Sequence, residues 1–177
     1  MKKIITPLTD EIIRSLKAGD EVAISGVVYT ARDAAHKRLC ELIEQDKKLP
    51  IPLQGSVIYF VGPTPAPPGK VIGSAGPTTS ARMDNFSPIL IKAGLKGMIG
   101  KGYRSDAVRE SLKKYCAIHF AALGGAGALL SQYIVSAKVV AYEDLGTEAI
   151  RKLELKDFPA IVAYDSFGNT VFKKVKE

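Results

Sequence analysis

The chain has 177 residues, of which 46% are hydrophobic and 24% charged, with a formal net charge of +7. This is an ordinary globular balance in a single domain long enough to bury a core, and no apolar run approaches the roughly 20 residues that cross a bilayer. A net positive charge suits nucleic acid, an acidic partner subunit or small anionic substrates, but it is spread along the chain rather than concentrated, which speaks for a solvated surface rather than a polyanion groove.

Met1-Lys2-Lys3-Ile4-Ile5 is followed at once by Thr6-Pro7 and Asp10-Glu11, so it lacks the apolar region of a signal peptide and a cytosolic protein is expected. Ile4 to Pro7 is compatible with a short edge strand. Thr9 suits the cap of a helix over Asp10 to Ala18 stopped by Gly19. Glu21 to Tyr29 reads as a strand, with Gly26 marking a bulge or a close backbone approach. Thr30-Ala31-Arg32-Asp33 has the form of a capping box opening a helix to about Gln45. Arg32 and His36, four apart, share a face of its first turn and together are suited to an anion, although a buried, hydrogen-bonded His36 is the plainer expectation. A cation in the first turn opposes the helix dipole, so Arg32 calls for another reason to be there.

Pro50 and Pro52 make Leu49 to Leu53 an extended linker. Ser56 to Val61 is a strand, and Gly62 to Gly69, with four prolines, a stiff loop. Next comes the most distinctive stretch: Gly73-Ser74-Ala75-Gly76-Pro77-Thr78-Thr79-Ser80-Ala81-Arg82-Met83-Asp84, a shaped loop presenting hydroxyls and a guanidinium together. Ser87-Pro88 reads as cap and first position of a helix to Ala93, stopped by Gly94. Leu95 to Ile99 is a strand ending in Gly100-Lys101-Gly102, where a lysine between two glycines suits a cation delivered into a cleft. Ser105 caps a helix to Cys116. Ala117 to Leu123 is a strand, with His119 in apolar company as a core histidine.

Gly124-Gly125-Ala126-Gly127 before a helix to Tyr133 resembles a phosphate cradle, but it has neither the full GxxxxGK[ST] nor GxGxxG, and close packing is the better reading. Val135 to Tyr142 is a strand, Thr147 to Leu153 a short helix, and Pro159 to Tyr164 with Thr170 to Val175 a terminal hairpin. Strands and helices alternate, so the class is α/β with a mixed sheet or a second small sheet.

Two cysteines, Cys40 and Cys116, with no CxxC pair, argue against a disulfide framework and a self-contained zinc or iron–sulfur site. No carboxylate pair and no Ser/His/Asp order stands out. Arg32, the Thr78 to Arg82 stretch and Lys101 offer cations beside hydroxyls, a set that suits a small dicarboxylate, because guanidinium binds carboxylate bidentately.

Four stretches resemble a known family: Tyr29 to Arg38, Gly76 to Asp84, Lys101-Gly102 and Asp157 to Ala163. The sequence is similar, over nearly its whole length, to the β subunit of class I fumarate hydratase and of L(+)-tartrate dehydratase, the unit that forms the C-terminal domain of single-chain class I fumarases. The resemblance implies a swivelling β/β/α domain over residues 1–177, acting only with an α subunit, in an α2β2-type hetero-oligomer. It implies a [4Fe–4S] cluster held by that α subunit through three cysteines, with an open iron as Lewis acid. It implies reversible hydration of fumarate to (S)-malate, with dehydration of L-tartrate as the alternative. By the same resemblance, Thr78 matches the base for the C3 proton, Arg32 and Arg82 match carboxylate-binding arginines, and Lys101 matches a substrate-contacting lysine. A non-catalytic binding module is the remaining alternative. It predicts tight ligand binding by the isolated chain and indifference to iron.

Overall fold

A computed structural model of the chain describes residues 1–122 and 127–173. It has mixed α/β character, with one seven-stranded sheet ordered β1-β2-β3-β4-β5-β7-β6. The strands are β1 (Lys2–Ile5), β2 (Glu21–Thr30), β3 (Val57–Tyr59), β4 (Gly97–Gly100), β5 (Ile118–Ala122), β6 (Ile134–Ala141) and β7 (Ile150–Tyr164). The first five run parallel to their neighbours. β7 runs antiparallel to β2, β5 and β6. Because β7 pairs with β2 along one edge and with β5 along the other, β2, β3, β4, β5 and β7 close into a ring.

The helices connect the parallel strands: α2 (Asp33–Glu44) joins β2 to β3, α3 (Ser87–Lys92) precedes β4, and α4 (Asp106–Tyr115) joins β4 to β5. Two shorter ones, α1 (Asp10–Arg14) and α5 (Gly127–Ser131), follow β1 and precede β6. Side chains alternate across the pleat, so each central strand feeds two cores. Val57, Tyr59 and Val61 enter one cluster with Val22, Ile24 and Phe120, whereas Ile58 and Phe60 enter a second with Leu39, Leu90 and Val108 beneath the helices.

Several local signals act as read from the sequence. The Thr9 hydroxyl accepts the Ile12 N–H and the Ser105 hydroxyl the Val108 N–H, each capping its helix. Gly94, at φ +120°, follows α3. At Gly26 the β2–β7 register shifts, and a Cβ there would lie 2.5 Å from Thr6 Oγ1 and 2.9 Å from the Thr6 carbonyl. It therefore serves both as a bulge and as a site of close approach.

Four expectations are corrected. Thr30 does not cap α2. It is the last residue of β2, fully buried, and its hydroxyl donates to Ala149 O and accepts from Arg151 N. Arg32 occupies the cap position without a side-chain bond, and the free Ala34 N–H is met by the Glu148 carboxylate from the β6–β7 connection. Ser87 likewise does not cap α3. Phe86 precedes that helix, and the buried Ser87 hydroxyl donates to Met83 O. The expected helix over Thr147 to Leu153 is a 3-10 segment, Glu143–Glu148, followed directly by β7. Its residues favour helix by propensity, but Leu153, Leu155 and Phe158 bury into the ring from a strand flanked on both sides, and pairing overrides propensity. The terminal hairpin is reduced to an isolated bridge between Tyr164 and Thr170. Its far end, at Val175, and the glycine cluster at 124–126 lie outside the described residues.

Gly26→Ala combines a positive φ, +105°, with a clash against Thr6. It should cost about 2 kcal/mol or more. Gly69→Ala shares the positive φ, +74°, but meets open space, and should cost about 1 kcal/mol. Urea midpoints of the two variants check this order.

Candidate functional site

The carboxyl ends of adjacent parallel strands gather loops on one rim, the usual place for a ligand in an α/β sheet. Arg32 follows the end of β2, and its side chain lies against Gly62 beyond β3, where an added Cβ would come 2.6 Å from Nη1. Thr78 is tied to the end of β3 by its N–H, which donates to Phe60 O at 2.7 Å. Lys101 follows β4 and forms a parallel bridge with Thr79, while Ser80 N–H donates to Lys101 O at 2.8 Å. Arg82, in the 3-10 turn Ser80–Met83, reaches the first turn of α2, where Nη2 donates to the Asp33 carboxylate. The structure thus brings Arg32, Thr78, Arg82 and Lys101 together on one rim, though they are spread over 70 residues of chain.

Charge on this rim is unbalanced. Arg82 and Asp33 form an ion pair. Among the described residues neither Arg32 nor Lys101 has a carboxylate partner, and the buried Arg32 Nε has no hydrogen-bond acceptor. Of the two described carboxylates on this rim, Asp33 pairs with Arg82 and Glu148 meets the Ala34 N–H, so Arg32 and Lys101 are left to an anion.

His36 does not share in the anion site. It is fully buried, its Nδ1 lies 2.8 Å from Arg32 O, and its ring stands edge-on to Phe60 and tilted against Phe86. Burial is the main reason its pKa falls to about 4, so it is neutral at pH 7. His119 is also buried, and it is held well below the usual range by burial and by the nearby Arg104.

Sequence reasoning missed what lies beneath the rim. Arg104 is buried, with no exposed side-chain surface. Its Nε donates to Asp84 Oδ1 at 2.7 Å, Nη2 to Ser87 Oγ at 2.5 Å and Nη1 to His119 Nδ1 at 3.1 Å, and its guanidinium lies over the Phe60 ring. An arginine only donates, so Nδ1 of His119 is the acceptor and Nε2 carries the hydrogen that faces Ser80 Oγ at 3.2 Å. Asp84 Oδ2 accepts the Ser105 N–H, and Arg104 N–H donates to the Tyr164 hydroxyl. Asp33 was missed as well. Nothing in the local pattern marks Arg104 as buried, whereas Asp84 closes the distinctive loop and was open to notice.

A family model described as Fumarase C-terminus matches residues 2–175. The chain belongs to this fumarase C-terminal family. Its relatives include the anaerobic class I fumarate hydratase of Escherichia coli K12, 36% identical over 177 residues, which are 99% of this chain and 31% of that protein. A second, named putative L(+)-tartrate dehydratase subunit beta, from Methanocaldococcus jannaschii, is 36% identical over 183 residues, 100% of this chain and 94% of that one. Fumarate hydratase 1, mitochondrial, of Leishmania major is 32% identical, with 99% of this chain and 31% of that protein covered. The chain spans about a third of the length of the fumarate hydratases it matches.

The Cys40 thiol is pushed up to about 11, mainly by burial, and points to Phe86 O, while Cys116 sits by the Asp10 carbonyl. Among the described residues no group of three or more His, Cys, Asp or Glu converges. No helix among them is long and apolar enough to cross a membrane.

The buried histidines make stability depend on pH. An unfolded histidine takes up a proton near 6.5, whereas folded His36 resists until about 4. Between those values the unfolded state binds more protons, so stability falls as pH falls. From pH 7 to pH 5 His36 alone should cost about 2 kcal/mol. In His36→Phe the difference in unfolding free energy between pH 7 and pH 5 should shrink by that amount. An unchanged difference would mean that His36 does not titrate on unfolding in this range.

Proposed function

We propose that this chain is the β subunit of an iron–sulfur hydro-lyase of the fumarate hydratase type, and that its rim is half of a site completed by an α subunit. The observation that carries the reading is that Arg32 and Lys101, with no carboxylate partner among the described residues, stand with Arg82 around a threonine loop. Fumarate and malate are dianions, and two arginines can each hold a carboxylate. In this reading Arg32 and Arg82 fix the two carboxylates, Lys101 contacts substrate, and the Thr78 hydroxyl exchanges the proton at C3 of malate. A threonine hydroxyl is a poor base in water, but uncompensated cations beside its turn favour the deprotonated form.

The cluster has no seat among the described residues of this chain, and the proposal assigns it to the α subunit. The likeness to a protein named as a β subunit, matched over 94% of its length, supports a separate partner chain. That name also supports L-tartrate as the alternative substrate, since it too is a dianion. Residues 1–177 as one domain of the swivelling β/β/α type, an α2β2-type assembly and a cytosolic place complete the proposal.

Co-production with the α subunit under anaerobic conditions should give a brown complex that hydrates fumarate, and the chain alone should be colourless and inactive. Cluster absorbance or hydratase activity in the isolated chain would overturn the division of labour. A complex that dehydrates L-tartrate but leaves malate untouched would select the alternative. Tight dicarboxylate binding by the isolated chain, indifferent to iron, would favour a binding module.

Within such a complex Arg82→Lys and Arg32→Lys keep charge but lose the two-pronged fork, and each should lower kcat/KM by about 10²-fold or more. Thr78→Val keeps shape and removes the hydroxyl. It should lower kcat by roughly 10²–10⁴-fold with little change in KM, and Thr79→Val should do far less. Steady-state malate dehydration, with exchange of the C3 hydrogen in deuterated water, checks both. Equal losses for the two valine variants would assign the effect to loop shape.

A further inference from the structure

The residues proposed to touch substrate sit on a loop with little regular structure of its own. Between Gly62 and Ser80 the chain has no strand or helix, and the 3-10 turn that follows is only four residues long. A loop of that kind ordinarily samples many conformations, yet the proposed chemistry requires Thr78 and Arg82 in fixed places. We infer that Ser80, His119, Arg104 and Asp84 form an internal clamp that positions the Thr78–Arg82 turn.

The clamp holds the chain at Ser80 and at Asp84, which bracket Arg82 and follow Thr78. At the first of these, the Ser80 hydroxyl meets His119 Nε2 at 3.2 Å, with His119 standing on β5. At the second, Asp84 receives Arg104 Nε at 2.7 Å and the Ser105 N–H at 2.9 Å. Arg104 joins the two halves, because its Nη1 donates to the other nitrogen of the same imidazole. The guanidinium therefore reaches Asp84 directly and Ser80 through His119, and Arg82 lies between the two.

The fit beneath the turn is close. A Cβ on Gly100 would lie 2.2 Å from Ser80 Oγ and 2.8 Å from the Phe60 ring, so only glycine lets the serine sit over β4. The guanidinium covers the Phe60 ring, and the Phe60 carbonyl holds the Thr78 N–H. None of the four clamp side chains belongs to the proposed substrate set, and three are buried; they are positioning residues. Their role in turnover rests on the hydro-lyase reading, but the clamp itself does not.

Two substitutions break the same link from opposite sides. Ser80→Ala removes the hydroxyl with minimal loss of volume. His119→Asn keeps an acceptor for Arg104 near the place of Nδ1 but no longer reaches Ser80. In the full chain, backbone hydrogen exchange at Thr78, Ser80 and Arg82 should rise by about ten-fold or more in each variant, while amides of β2 and β4 keep their protection. The double variant should exchange no faster than either single one, because one interaction has been removed. Unchanged exchange in Ser80→Ala, or effects that multiply in the double variant, would overturn the clamp.

In the complex with the α subunit both variants should lower kcat by about ten-fold with KM near that of the wild type, and His119→Gln, which carries an N–H near the place of Nε2, should recover much of the loss. Loosened exchange with kcat unchanged would overturn the positioning role. A wild-type complex that fails to hydrate fumarate, with exchange behaving as expected, would sink the hydro-lyase reading and leave the clamp standing.

Discussion

A guanidinium with no exposed surface keeps its charge only if its donors are met from within, because an unpaired buried ion costs several kcal/mol. Burial draws the Arg104 pKa down, and hydrogen bonding and attraction from Asp84 oppose that. The requirement is spatially demanding. Its donors reach a carboxylate, a hydroxyl, an imidazole and the Met98 thioether, contributed by the distinctive loop, α3, β5 and β4. Satisfying one ion thereby ties the distinctive loop, which has little regular structure of its own, to α3, β4 and β5, which helix and sheet bonding already hold. The visible part of the site, hydroxyls and cations at a rim, is the upper surface of this buried arrangement.

The rim itself divides its charges between two kinds of setting. Arg82 is half-exposed and already paired with Asp33, so its guanidinium is oriented before any ligand arrives. Arg32 and Lys101 carry no such partner among the described residues, and a bound anion would relieve their repulsion. Preorientation by one carboxylate and attraction by two free cations act together, and both weaken as added salt screens them.

Much of this was legible in the sequence because it rests on local chemistry. Thr9 and Ser105 cap their helices as their positions suggest, Gly26 sits at a bulge, Arg32 and Lys101 fall just past the ends of β2 and β4, and Thr78 and Arg82 lie on the distinctive loop between β3 and β4. What was not legible depends on partners distant in the chain. Thr30 and Ser87 have the composition of caps, but buried neighbours claim their hydroxyls, and Glu148, more than a hundred residues from Ala34, does the capping instead. The stretch from Thr147 to Leu153 has helix-forming residues, and only pairing with β2 and β6 turns most of it into strand. The burial of Arg104 has no local signature at all, since an arginine beside a serine after a glycine turn reads as surface.

The closure of the ring by β7 bears on how the protein is made. Tyr29 pairs with Lys152 and Val22 with Ala160, contacts that span most of the chain, whereas the parallel neighbours β3, β4 and β5 follow one another closely. Loop closure over such a span is slow. During synthesis β2 and β5 emerge before β7, and each waits with an unpaired edge until β7 has left the ribosome. The interval before that strand docks is when the chain is most open to joining with other copies of itself, and its length is set by translation rate as much as by any interaction in the finished fold.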